Sequence, residues 1–271
     1  MKYYTPFRPG HHDYEYAQRA MGAGLTGFEA VYRESYETSE THLEYMESLI
    51  RLKENLGAGF SVHAPMRDVH LGSLNSKVRE VALEEIRGSL HFAHAIGASL
   101  VVVHPAPGIA GIPGKWSKAE RPPKSEGGDL ERQEELMVRA VKDLADYAPD
   151  LLIGLENLVY PHEMYRSPEE LAELIKKVNR TNVGLTLDVG HAVTCGYDPA
   201  DFFNLLSDDI FHVHLHDNNG VIDQHLPLGQ GIIDYVAVIQ SLKRLDYQGV
   251  VNLEFSLDDP DGYCDYLHEF R

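Results

Sequence analysis

The chain has 271 residues and carries 24 Lys and Arg against 42 Asp and Glu, a net charge of −18. So acidic a chain repels polyanions, which disfavours nucleic acid and anionic membranes as partners. Its two cysteines, Cys195 and Cys264, imply no disulfide framework.

In chain order, a weak strand is expected at residues 3–7 and a first helix at 13–21. Short apolar segments then alternate with helical spacing. Gly27-Phe28-Glu29 precedes a helix at 41–55, and Gly59-Phe60-Ser61-Val62-His63 one at 77–96. Leu100-Val101-Val102-Val103-His104 is followed by a helix at 130–148. Leu151-Leu152-Ile153-Gly154-Leu155-Glu156 leads to one at 168–179, where Ser167 reads as N-cap and Pro168 as the first helical residue. Val183-Gly184-Leu185-Thr186-Leu187-Asp188 precedes 199–206, with a second start signal at Asp198-Pro199. Phe211-His212-Val213-His214-Leu215-His216 precedes 232–245, and Val250-Val251-Asn252-Leu253-Glu254 closes the series. No run approaches the ~18 apolar residues of a membrane span. The start, Met1-Lys2-Tyr3-Tyr4-Thr5-Pro6, lacks the apolar stretch of a signal peptide. A soluble cytoplasmic protein is expected.

Strand–helix alternation argues for a parallel sheet. The length is close to the ~250 residues of a single (β/α)8 TIM barrel. The expected fold is therefore one α/β domain over 1–271. Seven of these eight segments end in a residue that binds metals or moves protons. In such a barrel the C-terminal strand ends converge on one active site.

Residues 105–128 break the rhythm, being rich in Pro and Gly. A connection this long is usually functional or disordered. It holds Lys115, Lys118, Arg121 and Lys124 against Glu120, and the only tryptophan, Trp116. A cationic segment on an acidic chain reads equally as a lid over an anionic substrate and as a solvated loop.

Glu156, Asp188, His214 and Glu254 offer three carboxylates and an imidazole, a set suited to Mn²⁺, Zn²⁺, Co²⁺ or Mg²⁺. Unpaired buried charges are costly. The strand ends supply no Arg or Lys to neutralise them, so one bound divalent ion is expected. His63, His104, His191, Asp223 and His225 are further candidates for substrate or for additional ions, up to three in all. His191 reaches the same cavity as Asp188 if the chain turns sharply at Gly190. The ten other histidines (His11, His12, His42, His70, His91, His94, His162, His212, His216 and His268) are read as ordinary hydrogen-bonded residues.

The motifs Val62-His63-Ala64-Pro65, Val103-His104-Pro105, Leu155-Glu156-Asn157, Leu187-Asp188-Val189-Gly190-His191, His214-Leu215-His216-Asp217-Asn218, the segment from Asp223-Gln224-His225 to Gly231, and Leu253-Glu254 resemble those of the xylose isomerase-like barrels. That superfamily holds sugar isomerases and epimerases together with abasic-site nucleases of the endonuclease IV type. In the epimerase-like branch the resemblance implies one metal held by Glu156, Asp188, His214 and Glu254. The two glutamates would also move the proton, with His191 on the substrate. Those epimerases usually carry an arginine after the seventh strand, and residues 215–230 contain none. In the nuclease branch the resemblance implies three zinc ions on His63, His104, Glu156, Asp188, His191, His214, Asp223, His225 and Glu254. Duplex DNA binding needs several cationic phosphate contacts. Acidic residues at Asp217, Asp223 and 258–261 line the expected mouth instead. The reading is a metal-dependent isomerase or epimerase of a small polar sugar or sugar phosphate, with a phosphodiesterase as the alternative and hydrolysis or dehydration also open. Homo-oligomers are common among such barrels.

Overall fold

The structure, a computed structural model, describes residues 1–8, 12–32, 39–67, 69–105, 129–160 and 163–270. Eight parallel strands close into a barrel in sequential order. They are β1 (Lys2–Phe7), β2 (Gly27–Val31), β3 (Gly59–His63), β4 (Leu100–Val103), β5 (Leu152–Glu156), β6 (Val183–Asp188), β7 (Ile210–Leu215) and β8 (Val250–Leu253). The surrounding helices are α1 (Tyr14–Gly22), α2 (Ser39–Leu56), α3 (Ser76–Ile96), α4 (Asp129–Tyr147), α5 (Pro168–Val178), α6 (Val189–Thr194), α7 (Pro199–Leu206), α8 (Tyr235–Arg244) and α9 (Tyr263–Glu269). Among the described residues no helix is long and apolar enough to cross a membrane.

The main helices lie where the apolar spacing puts them, because each buries one stripe against the barrel. On α3 that stripe is Ala82, Ile86, Leu90, Ala93 and Ile96. Local capping agrees. Ser167 and Glu170 form a capping box around Pro168, and Asp198 accepts from the Ala200 amide. Besides α9, which matches no expected helix, two helices depart from expectation. The segment 232–245 becomes helical only at Tyr235, because Asp234 caps it by accepting from the Ala237 amide. Residues after Asp188 form α6 rather than a sharp turn.

Side chains alternate across each strand. Phe211, Val213 and Leu215 leave β7 on the opposite side from His212 and His214, and Val213 and Leu215 join the buried apolar layer. The barrel interior is polar. Glu29, Ser61, His63, Glu156, Thr186, Asp188, His212, His214 and Asn252 are all buried. TIM-barrel interiors usually hold bulky branched apolar side chains, so this polar layer calls for a chemical account.

Candidate active site at the barrel mouth

Glu156 and Asp188 are the last residues of β5 and β6, His214 is the penultimate residue of β7, and Glu254 follows β8. Strand pairing sets Asp188 directly beside His214, and His214 beside Asn252. His214 Nδ1 lies 2.9 Å from Glu254 Oε2, 3.3 Å from Glu156 Oε1 and 3.7 Å from Asp188 Oδ2. One ligand atom from each of the four residues falls within 4.8 Å of the others. Two ligands each ~2.1 Å from a common ion, at angles between 90° and 180°, would stand roughly 3.0–4.2 Å apart. Of the three spacings from His214 Nδ1, those to Glu156 and Asp188 fall in that range and that to Glu254 lies 0.1 Å below it. Glu156 Oε2, Asp188 Oδ2, His214 Nδ1 and Glu254 Oε2 are also buried atoms that make no hydrogen bond of acceptable geometry. Buried polar atoms seldom go without a partner. The cluster therefore fits a divalent ion both in donor type and in spacing.

The further candidates surround these four. His104 Nε2 is 2.9 Å and His63 Nε2 3.4 Å from Glu156 Oε2. His191 Nε2 is 3.3 Å and His225 Nε2 2.9 Å from Asp223 Oδ2. A carbonyl oxygen only accepts, so a ring nitrogen facing one carries the proton. His63 gives its Nδ1–H to the Ala64 carbonyl, His191 to that of Asn157 and His225 to that of Glu254. Each then turns its Nε2 toward a carboxylate. His63, His104 and Glu156 form one potential ligand group, and His191, Asp223 and His225 another.

Electrostatics follow from packing carboxylates among imidazoles. Burial alone would raise the Glu156 carboxyl, but His104 and His214 hold it well below the usual carboxylate range. Asp188 is likewise held low by His191 and His216 against its burial. Burial opposes charge on His214 and His191. Glu254, Glu29 and Glu156 nevertheless hold His214 well above the usual imidazole range, and Asp188 and Asp223 do the same for His191. His225 is pushed up to about 9 against its burial by its bond to Asp223 and by the charge of Glu254.

Thus all nine mouth candidates come together. Lys115, Trp116, Lys118, Arg121 and Lys124 lie outside the described residues. Three features escaped the sequence reading. His216, read there as ordinary, is buried in the site, with Nε2 3.2 Å from Asp188 Oδ1 and its ring stacked 4.1 Å from that of His225. The period of two in His212-Val213-His214-Leu215-His216 was the signal, since it puts the three rings on one side. Gly190 matters for space rather than for a turn. A Cβ there would stand 2.0 Å from His216 Cε1, while Asp188 Oδ1 caps α6 by accepting from the His191 amide at 2.6 Å. Glu29 does not end its strand. β2 runs on to Val31, which leaves Glu29 inside the barrel below the mouth.

One further element positions the site. Asp217, fully buried after β7, accepts four backbone N–H bonds, from Asn218, Gly229, Gly231 and Ile233. Its main chain pairs with Leu226 at 2.8 Å in both directions. This carboxylate ties down the loop that delivers Asp223 and His225.

The fold and mouth define a (β/α)8 barrel with a carboxylate–imidazole site at its C-terminal end. More narrowly, residues 17–266 match the xylose isomerase-like TIM barrel family, and the chain belongs to that family. It is 33% identical over 231 residues to an uncharacterized protein of Methanocaldococcus jannaschii, covering 84% of this chain and 73% of the relative. It is 24% identical over 197 residues to an inosose dehydratase of Geobacillus kaustophilus, covering 66% of this chain and 63% of that enzyme. Among solved structures, a D-tagatose 3-epimerase-like protein superposes with a TM-score of 0.79 at 27% identity, covering 100% of this chain and 97% of the other.

Proposed function

We propose that the protein is a divalent-metal-dependent isomerase or epimerase acting on a sugar or sugar phosphate. The observation that carries this reading is the cluster of Glu156, Asp188, His214 and Glu254, in which Asp188 Oδ2, His214 Nδ1 and Glu254 Oε2 face one another without hydrogen-bond partners. Likeness to a D-tagatose 3-epimerase-like structure and to an inosose dehydratase supports a small sugar-like substrate. Bound there, a divalent ion would polarise adjacent carbonyl and hydroxyl oxygens and acidify the neighbouring C–H.

Asp188 and His214 are the fixed holders, being fully buried. Glu156 and Glu254 reach in from strand positions three apart around the barrel and move the proton. One carboxylate takes the proton from the carbon beside the carbonyl, leaving an enediolate. The other carboxyl returns a proton to that carbon from the opposite face, or to its neighbour in an isomerisation. His191, Asp223 and His225 face the same space and bind substrate hydroxyls. The segment with Lys115, Trp116 and Lys118 is the proposed lid for an anionic substrate.

A second reading is favoured by the additional groups His63–His104–Glu156 and His191–Asp223–His225. With those filled by zinc, the mouth becomes a multinuclear centre of the kind that cleaves phosphodiesters. Elemental analysis of protein purified without added metal or chelator separates the two. About one Mn, Co or Mg per chain, with turnover of a ketose or its phosphate, supports the first. Two or three zinc ions per chain, with cleavage of a phosphodiester, supports the second. A chain that takes up no divalent ion refutes both.

A further inference from the structure

Beneath the mouth lies a second polar layer that the proposed reaction does not use. Its centre is Glu29, only 2% exposed. β2–β3 pairing sets Ser61 beside it, and Ser61 Oγ donates to Glu29 Oε2 at 2.9 Å. His212 Nε2 meets the same oxygen at 2.9 Å, and Asn252 Nδ2 donates to Oε1 at 2.9 Å. His214 Nε2 lies 3.1 Å from Oε1.

These contacts choose the ligating nitrogen of His214. An ionised carboxylate only accepts, so the ring nitrogen that faces it carries the proton. In His214 both nitrogens face carboxylates, Nε2 that of Glu29 and Nδ1 those of Glu254, Glu156 and Asp188; when an ion takes the Nδ1 lone pair, the one remaining ring proton sits on Nε2 against Glu29. His63, His191 and His225 show the opposite arrangement, with Nδ1–H on a backbone carbonyl and Nε2 toward the mouth carboxylates. In His214 the choice is made by a side chain that reaches it from five strands away in chain order. Glu29, His212 and His214 also satisfy the spacing of a ligand set. Ser61 and Asn252, however, already direct donor hydrogens at both Glu29 oxygens, and an ion there would meet those hydrogens.

We propose that Glu29 is a positioning residue which locks the His214 ring and its Nε2–H form, and so sets how tightly the mouth cluster holds its ion. This rests on the metal-site reading given under Proposed function. Second-layer carboxylates on ligating histidines typically change metal affinity or activity by roughly 10–100-fold.

The test uses the whole chain and zinc, which is diamagnetic. Histidine ¹⁵N spectra of the zinc-loaded protein, with His214 assigned by its loss in His214→Gln, report which ring nitrogen is protonated. Zinc affinity at that site is read from the His214 resonance in chelator-buffered titrations of parent and Glu29→Gln. The expected result is Nε2-protonated, Nδ1-bound His214 in the parent, and affinity weaker by roughly 10-fold or more in Glu29→Gln. His214 bound through Nε2, or a Glu29→Gln affinity within twofold of the parent, overturns the proposal and leaves the metal site standing. A parent that binds no zinc overturns the proposal and the metal-site reading together. If Glu29→Gln does not fold, the parent's protonation pattern decides alone.

Discussion

Replacing Asp217 by Ala tests whether one carboxylate organises the loop between β7 and α8. Asp217 Oδ1 accepts from the Asn218 and Ile233 amides at 2.9 and 3.0 Å, and Oδ2 from Gly229 and Gly231 at 2.9 Å each. Removing the acceptor strands these N–H groups, and each buried donor left unpaired costs about 1–3 kcal/mol. Four of them set a range of roughly 4–12 kcal/mol. Gly229 and Gly231 are only part-buried, so their amides regain water when the loop opens. The lower end, about 4 kcal/mol, is therefore expected. At about 2–4 °C per kcal/mol for a chain somewhat larger than 150–250 residues, the melting temperature falls by roughly 8–16 °C. Thermal and urea unfolding give the magnitude. Amide hydrogen exchange locates it, with protection lost first at Gly229, Gly231 and Ile233. Asp223 and His225 ride on this loop, so activity should fall with it. A variant within about 0.5 kcal/mol of the parent, with those amides still protected, would refute the reasoning, since surface changes fall in that range.

Three further outcomes are expected. Glu156→Gln and Glu254→Gln should each abolish turnover while leaving the far-ultraviolet spectrum intact, and wild-type activity in either would dispose of its proton-transfer role. Gly190→Ala should destabilise the chain by about 1–3 kcal/mol, the usual cost of overpacking. The added methyl collides with the buried His216 ring, so a neutral melting temperature would show that this ring moves aside freely. The third concerns pH and metal-free protein. His225, raised to about 9 from 6.5, contributes stability that is fully present below pH 6.5 and lost as pH climbs through 9. His191 and His214 are raised in the same sense. Glu156 and Asp188 are held low and do not titrate in that window. The metal-free melting temperature should therefore fall between pH 6.5 and 9, and a rise would contradict the protonated-imidazole account.

Apolar periodicity and the residues at strand ends were enough to read the barrel, its eight strands and the mouth cluster. The reason is local. A period of two or 3.6 is a property of neighbouring residues, and in a parallel barrel every strand's C-terminal end faces the same way. Glu156, Asp188, His214 and Glu254 could thus be gathered before any coordinates, and so could His63, His104, His191, Asp223 and His225.

Only the tertiary structure decided the rest, because it depends on contacts between residues far apart in the chain. Glu29 looked like another strand end until pairing with β3 carried β2 on to Val31 and placed its carboxylate beneath His214, 185 residues away. His216 looked ordinary until the ring was found packed against Gly190, where only the lack of a Cβ admits it. Which nitrogen of each histidine faces the cluster was likewise undetermined, since it depends on whether a backbone carbonyl or a carboxylate stands behind the ring. Chain order states which groups the mouth contains. The protons they carry and the atoms they present are fixed by neighbours that only folding brings near.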